Sequence, residues 1–265
     1  MRHTTNTTPA FLSFNHIDPS GISGIQTDIE IAVSLGCHCA PIITAFNSGN
    51  THGTKTYKIA DTTLLIEQAR AILEDIPITA FYVGTLGSIA NMEAIHSIIR
   101  DYPKVPVIIN YTCASSIKGA RSTEMTAGLN TLLLPLTQLV VIAANQCRTL
   151  TPYADTDDAC AASLLEEGSD FLLMQYASTL GTHNQFGFYS KHGLINSYRQ
   201  TIAEDNLNII HNHLAGAISA YLAHELPISD TVQQGLRYCE KAQSAARKIG
   251  SGNPIYHRLY WTTPP

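Results

Sequence analysis

The stretch His16-Ile17-Asp18-Pro19-Ser20-Gly21-Ile22-Ser23-Gly24-Ile25-Gln26-Thr27-Asp28 follows an apolar run (Phe11, Leu12, Phe14) and leads into a helix-like segment through Ile29, Ile31, Ala32 and Leu35. Strand, glycine loop, helix is the order in which an open α/β sheet presents a ligand to its strand ends and to a helix N-terminus. Pro19 presets its own φ, and Gly21 and Gly24 permit turns or close approaches that a Cβ would block. Asp18 and Ser20 are placed to hydrogen-bond local backbone or a ligand. Composition alone does not separate a pocket loop from a plain turn and helix cap, so both readings stand at this point.

Outward from this stretch the same alternation repeats. Residues 26–35 predict a helix with Ile29, Ala32, Val33 and Leu35 on its apolar face and Gly36 as its stop. Residues 40–46 predict a buried strand, followed by a polar, glycine-containing loop over 47–53 that offers a second side to a pocket. Extended residues 56–59 lead to a helix over 62–73. A strand over 80–83 ends in Gly84-Thr85-Leu86-Gly87 and a helix over 89–99 follows. The β-branched run 106–110 is a strand, and after it come a polar loop (111–122) and a helix over 124–133. Strand 139–144 runs into Asn145. A helix over 157–167, a strand over 171–174, a hairpin turning at Lys191-His192-Gly193 and two closing helices (213–224 and 229–248) complete the chain. This order implies an α/β fold with a mostly parallel central sheet and helices on both faces. No interior linker or repeat divides it, so one domain over 1–265 is expected, with 1–10 as a flexible lead.

With 265 residues, 45% of them hydrophobic and 14% charged, the chain has material for a large core and a low-charge surface. A formal net charge of −5 and the lack of a Lys/Arg cluster speak against nucleic-acid binding, which needs a basic patch. No uncharged apolar run reaches the ~18 residues of a membrane span. The six cysteines are scattered, and Cys37-His38-Cys39 without a second pair is a poor zinc signal. They read as reduced, buried thiols of a cytosolic protein.

Asp18-Pro19-Ser20-Gly21-x-x-Gly24-Ile25-Gln26-x-Asp28 resembles the opening signature of hydroxymethylpyrimidine and phosphomethylpyrimidine kinases. The register continues through Leu35-Gly36, Ile43-Thr44-Ala45, Asn50-Thr51-x-Gly53, Gly84-x-Leu86 and Asn145, and ends on a tail with Gly252, Pro254 and Trp261. The resemblance covers nearly the whole chain. It implies a ribokinase-like three-layer sandwich, ATP and Mg²⁺ as cofactors, and a pyrimidine-like heterocycle as substrate. It also implies a cytoplasmic homo-oligomer, expected to be a dimer. The implied reaction is phosphoryl transfer to a pyrimidine hydroxymethyl or phosphate in thiamine biosynthesis. Asp18, Ser20, Gly21, Gly24, Gly49, Asn50, Thr85 and Asn110 then fall on the substrate side, and Asn145, Arg148, Gln175, Leu214 and Ala215 on the nucleotide side.

Several positions depart from the family pattern. When the helix is aligned on residues 219–223, the family's Gly-Thr-Gly-Cys anion loop falls on His213-Leu214-Ala215-Gly216. The catalytic cysteine position is then Gly216, which has no proton-transfer group. Arg148 stands where a magnesium-associated glutamate is expected. The lysine-glycine-glycine stretch reads Met174-Gln175-Tyr176-Ala177, without the lysine or either glycine. On the substrate side, Gly49 replaces a glutamine and enlarges the space, Thr85 replaces a methionine, and Asn110 replaces an aspartate. His213 is the candidate replacement base, because imidazole titrates near neutrality. His211-Asn212-His213 also invites a metal reading, against which stands a capping role; Cys113 is a candidate nucleophile without a placed base. Two function classes follow: a kinase with a rebuilt nucleotide site, with a pyridoxal-type kinase as its substrate alternative, and a catalytically degenerate relative that binds a heterocycle or regulates a partner.

Overall fold

The computed structural model describes residues 8–111, 120–176, 183–201 and 207–262. The expected strand–helix alternation produces a nine-stranded sheet. Its strands are β1 (Ala10–Ile17), β2 (His38–Asn50), β3 (Gly53–Ile59), β4 (Ala80–Val83), β5 (Val107–Tyr111), β6 (Leu139–Ala143), β7 (Phe171–Tyr176), β8 (His183–Ser190) and β9 (Gly193–Thr201). They lie in the order β3-β2-β1-β4-β5-β6-β7-β8-β9. The six central strands, from β2 to β7, run parallel, and β3, β8 and β9 are antiparallel additions at the two edges.

Because strand side chains alternate between faces, each strand feeds two cores. Leu12, Phe14, Phe81, Val83, Ile109, Val140 and Ile142 face one way, against α2 (Thr62–Asp75), α3 (Ile89–Arg100) and α6 (Asp157–Glu166). Phe11, Tyr82, Ile108, Val141, Leu173 and Phe186 face the other, against α1 (Ile25–Ser34), α7 (Leu207–Ala223) and α8 (Ile228–Ser244). Burial on both faces explains why the central strands are apolar runs rather than alternating ones. Helix starts follow local chemistry. Asp61, Ser88 and Thr156 each accept a backbone N–H of the first turn of α2, α3 and α6.

Four expectations are corrected here. The polar stretch 47–53 is not a loop: β2 runs on to Asn50 and pairs antiparallel with β3, forming a two-stranded arm. The buried face of α1 holds Ile25, Thr27, Asp28, Ile31 and Ala32, while Ile29 and Val33 are exposed. The segment after Ala143 is a short helix, α5 (Ala144–Leu150). Finally, the penultimate helix begins at Leu207, six residues before the expected start at 213. The loop after β5 and Cys113 lie outside the described residues.

Candidate functional site

The C-terminal ends of β1, β4 and β5 carry the groups that build the centre of the site: the Asn15 and Asn110 side chains and the Thr85 backbone. Asn15 Oδ1 accepts the backbone N–H of Thr85 at 3.1 Å and that of His16 at 2.9 Å. Thr44, on β2, donates to the Thr85 carbonyl at 2.5 Å. Asn110 Nδ2 donates to Asn212 Oδ1, on α7, at 2.5 Å. These bonds tie β1 and β2 to the segment after β4, and β5 to α7, at the place where open α/β sheets bind ligands.

The Asp18 loop forms the next wall. Asp18 is 5% exposed, and its carboxylate organises the turn. Oδ1 accepts the backbone N–H of Ser20 at 3.0 Å and its hydroxyl at 2.8 Å, and Oδ2 accepts Ser23 Oγ at 3.1 Å. Gln26 closes the loop from α1, its Oε1 accepting Asp18 N–H at 3.1 Å. Gly21 and Gly24 both take positive φ, and a Cβ at Gly24 would run into the His16 carbonyl oxygen. Glycine is therefore required at Gly24 on two counts. Beneath the loop, His16 is held between Asn15 Oδ1 (3.0 Å) and Ser23 Oγ (3.2 Å), with Tyr57 of the β2–β3 arm edge-on at 5.7 Å. Burial lowers its pKa to about 4, partly offset by the Asp18 charge, so the ring is neutral near pH 7.

Below this wall, Asp28 is completely buried between β1, α1 and α7. Oδ2 accepts Ser13 Oγ at 2.7 Å and Asn15 Nδ2 at 3.0 Å, while Oδ1 has no hydrogen-bond partner among the described residues. Burial raises its pKa to about 7, against the opposing pull of those two donors and of Arg258. The neighbouring Tyr82 phenol is held un-ionised by burial and by the Asp28 charge. Asp28 closes the sequence signature without a role of its own there, and Asn15 does not stand out in sequence as a site residue.

The remaining predicted residues distribute unevenly. Ser20, Gly21 and Gly24 join Asp18, and Thr85 and Asn110 join Asn15. Gly49 does not enlarge a pocket. It lies in the β2–β3 arm, where a Cβ would sit 2.5 Å from the Gly53 carbonyl oxygen, and the close strand approach requires its lack of a side chain. Asn50 is exposed at the arm's turn, accepting His52 N–H at 3.0 Å. His213 does not face a pocket: it is fully buried, accepts Arg258 Nε–H at 3.1 Å and packs on the Tyr256 ring at 4.4 Å. Leu214 and Ala215 are core residues of α7, and Gly216 faces inward, 3.4 Å from Asp28 Oδ1 and 3.3 Å from Ile31 by the measure of an added Cβ. His211 and His213, two apart on a helix, point about 160° apart. His211 is buried without a partner on either ring nitrogen among the described residues, and burial lowers its pKa to about 4.

The nucleotide side departs from the family's chemistry in the same way. Residues 213–216 lie inside α7, so their amides are spent on i→i−4 bonds and make no open anion cradle. Arg148 pairs with Asp157 at 2.6 Å, and Tyr189 donates to Asp158 Oδ1 at 2.7 Å while sharing a hydrogen bond with Tyr176. Gln175 is 2% exposed and donates to Asn184 at 2.8 Å, and Asn145 is exposed in the first turn of α5. Among the described residues no group of three or more His, Cys, Asp or Glu could hold a metal ion. Mg²⁺ needs oxygen ligands; a cation, Arg148, stands where a carboxylate ligand is expected, Asp157 is paired with it and Asp158 accepts from Tyr189, so the residues present do not fit Mg²⁺ held in the family's manner. The five described cysteines are buried free thiols, and burial pushes Cys37 and Cys147 up to about 12. No helix among the described residues is long and apolar enough to cross a membrane.

Comparison with known proteins agrees with this geometry at the level of lineage. Hydroxymethylpyrimidine/phosphomethylpyrimidine kinase of Escherichia coli (strain K12) is 24% identical over 257 residues, covering 92% of this chain and 95% of that protein. The Mycobacterium bovis enzyme of the same description is 26% identical over 255 residues, covering 93% and 92%. Among solved structures, Bacillus subtilis pyridoxal kinase in its ADP complex superposes with a TM-score of 0.83 at 16% identity, covering 97% of this chain and 100% of that one. Phosphomethylpyrimidine kinase from Clostridium difficile gives 0.72 at 21%, covering 88% and 98%. These structural likenesses carry the ribokinase-like fold. The phosphomethylpyrimidine kinase family pattern matches residues 18–257, from the Asp18 that ties the opening loop to the His257 of the closing segment, and the chain belongs to that family.

Proposed function

We propose that this chain binds a small pyrimidine-like heterocycle against the Asp18 loop and the ends of β1, β4 and β5. We propose further that its reaction is the family's, phosphoryl transfer from ATP to hydroxymethylpyrimidine or its phosphate. The observation that supports the ligand class is the wall itself. Asp18, Ser20, Ser23, Gln26 and Asn15 spend their hydrogen bonds on holding loop and strand ends in place, which gives a preorganised wall at the strand ends where open α/β sheets take small ligands. The same reading makes the protein a cytoplasmic dimer.

A specific observation favours a second reading, heterocycle binding without transfer, in a regulatory role. α7 runs unbroken through 213–216, where the family has its anion loop. One set of measurements separates the two. Calorimetry with hydroxymethylpyrimidine, its phosphate and pyridoxal reports binding, and an ATP-consumption assay with Mg²⁺ reports turnover. Pyrimidine-dependent ATP consumption supports the kinase, and pyridoxal-dependent consumption redirects it to the pyridoxal class. Saturable heterocycle binding without turnover supports the second reading. Absence of binding by all three heterocycles, with no ATP binding at millimolar concentration, overturns both.

A further inference from the structure

Arg258 is the most heavily committed buried cation among the described residues. It is 3% exposed, and its guanidinium reaches three elements at once. Nη2 donates to the Gly21 carbonyl at 2.7 Å, to the Ile22 carbonyl at 3.4 Å and to Thr27 Oγ1 at 2.9 Å. Nη1 pairs with Glu30 Oε2 at 3.0 Å, and Nε donates to His213 Nε2 at 3.1 Å. A buried guanidinium survives only where its donors are satisfied, and here two of the acceptors are backbone carbonyls of the ligand-side loop.

We propose that Arg258 is a positioning residue, the anchor by which the C-terminal segment fixes the Asp18–Gly24 loop in its ligand-facing shape. The front of that loop is held by the Asp18 carboxylate, but the Gly21 and Ile22 carbonyls are not bound by it. Gly21 takes φ +70° with open space around its Cα, so it is the position most free to reorient once its carbonyl is released. A planar peptide points its C=O and N–H in opposite directions. Drawing these two carbonyls onto the guanidinium therefore turns the Ile22 and Ser23 N–H groups away from the tail.

The same segment grips the β2–β3 arm. Asn253 N–H donates to the Thr51 carbonyl at 2.8 Å, Gly252 N–H to Thr51 Oγ1 at 3.1 Å, and His52 Nε2 bonds Ser251 Oγ at 3.0 Å. It is itself moored to α8, His257 N–H donating to the Ala242 carbonyl at 2.9 Å and Tyr238 donating to the Arg258 carbonyl at 3.0 Å. One strap thus sets both the loop and the arm. The functional consequence rests on the reading that a heterocycle binds against this loop.

The test uses the full chain in four forms, wild type, Arg258→Ala, Arg258→Lys and Glu30→Gln, with amide hydrogen exchange followed by peptide and hydroxymethylpyrimidine binding measured by calorimetry. In Arg258→Ala, exchange at residues 20–24 should accelerate at least tenfold while β4, β5 and β6 exchange as in wild type, and the Kd for the pyrimidine should rise at least tenfold. Arg258→Lys keeps the charge but loses the fork, so it should fall between the two, and it is the decisive variant if Arg258→Ala does not fold. Glu30→Gln keeps an oxygen acceptor for Nη1 and removes only the charge of a half-exposed side chain, so exchange at 20–24 should rise less than in Arg258→Lys; a rise as large as in Arg258→Ala would overturn the assignment of the anchor to the guanidinium fork. Unchanged exchange at 20–24, acceleration spread evenly over the chain, or a loosened loop with an unaltered Kd would overturn the proposal. If wild type binds no pyrimidine and the loop still loosens as expected, the strap stands and the ligand reading is what fails.

Discussion

Replacing Asp28 by asparagine tests the buried polar network beneath the site. The carboxyl is completely buried, and its Oδ1 has no donor while Oδ2 accepts Ser13 and Asn15. The proton of the neutral acid therefore belongs on Oδ1. The side-chain amide of Asp28→Asn matches that form heavy atom for heavy atom, with its oxygen in the Oδ2 place and its nitrogen, which carries one more hydrogen, in the Oδ1 place. Burial raises the pKa from 3.8 to about 7, so between these values the folded state binds more protons than the unfolded one. Stability from this residue is fullest below the unfolded pKa and falls as pH rises through the window. The whole loss is about 4 kcal/mol, at ~1.4 kcal/mol per pKa unit, with roughly 2 to 3 kcal/mol of it between pH 5 and pH 8. His16 and His211, lowered to about 4 from an ordinary 6.5, act in the opposite direction, their contribution being lost as pH falls below 6.5. They are common to both proteins and cancel in the difference. Urea unfolding of wild type and Asp28→Asn at pH 5 and pH 8 gives that difference directly. The variant should gain on wild type by about 2 to 3 kcal/mol across the interval. A difference that stays flat, or moves the other way, refutes a neutral buried Asp28.

Gly216→Cys places a thiol at the position that sequence alignment equates with the family's catalytic cysteine, yet its Cβ meets Ile31 at 3.3 Å and Asp28 at 3.4 Å. It should cost about 1–3 kcal/mol from overpacking and add no ATP turnover; a measured gain in transfer rate would show that Gly216 faces the reaction after all. Gly49→Ala, with its Cβ 2.5 Å from the Gly53 oxygen, should lower the melting temperature through about 1–3 kcal/mol of strain, and an unchanged melt would refute the close strand approach. Arg148→Ala breaks a pair whose arginine side chain is 59% exposed, so it should change stability by less than about 1 kcal/mol. If ATP is turned over, the same variant should raise the KM for ATP, and an unaltered KM removes Arg148 from the phosphate site.

Periodicity made much of the architecture legible. The strand at 80–83 has the bounds expected of it, because a short apolar run there is closed by Gly84. The α3 face of Met92, Ile95, Ile98 and Ile99 is buried as its spacing implies. The misreadings have physical causes. The β2–β3 arm is largely exposed toward its tip, so no alternation marks it as a strand. The buried face of α1 is rotated from the expected one because its centre is an Asp, and carboxylates are counted as surface. Arg258 is the one Lys or Arg in 250–261, but its partners include the Gly21 and Ile22 carbonyls more than two hundred residues away, and no local pattern encodes such a contact.

The two halves of the strand-end face differ in how they were kept. The substrate half depends on side chains that bond backbone across long sequence distances, Asn15 to Thr85 and Arg258 to Gly21, so losing one of them orphans buried groups at about 1–3 kcal/mol each. The nucleotide half is held by side chains that bond one another, Gln175 to Asn184 and Tyr176 to Tyr189 to Asp158, with the partly exposed Arg148–Asp157 pair beside them, and its 213–216 amides are closed within α7. A backbone anion cradle can be lost by extending a helix, which gains local hydrogen bonds as it forms and strands nothing. Phosphoryl transfer depends on charge stabilisation by donors and metal, and a backbone cradle at 213–216 is closed to it here. Transfer by this chain therefore calls for side-chain cations, and on this side Arg148, 59% exposed and paired with a partly buried Asp157, is the candidate.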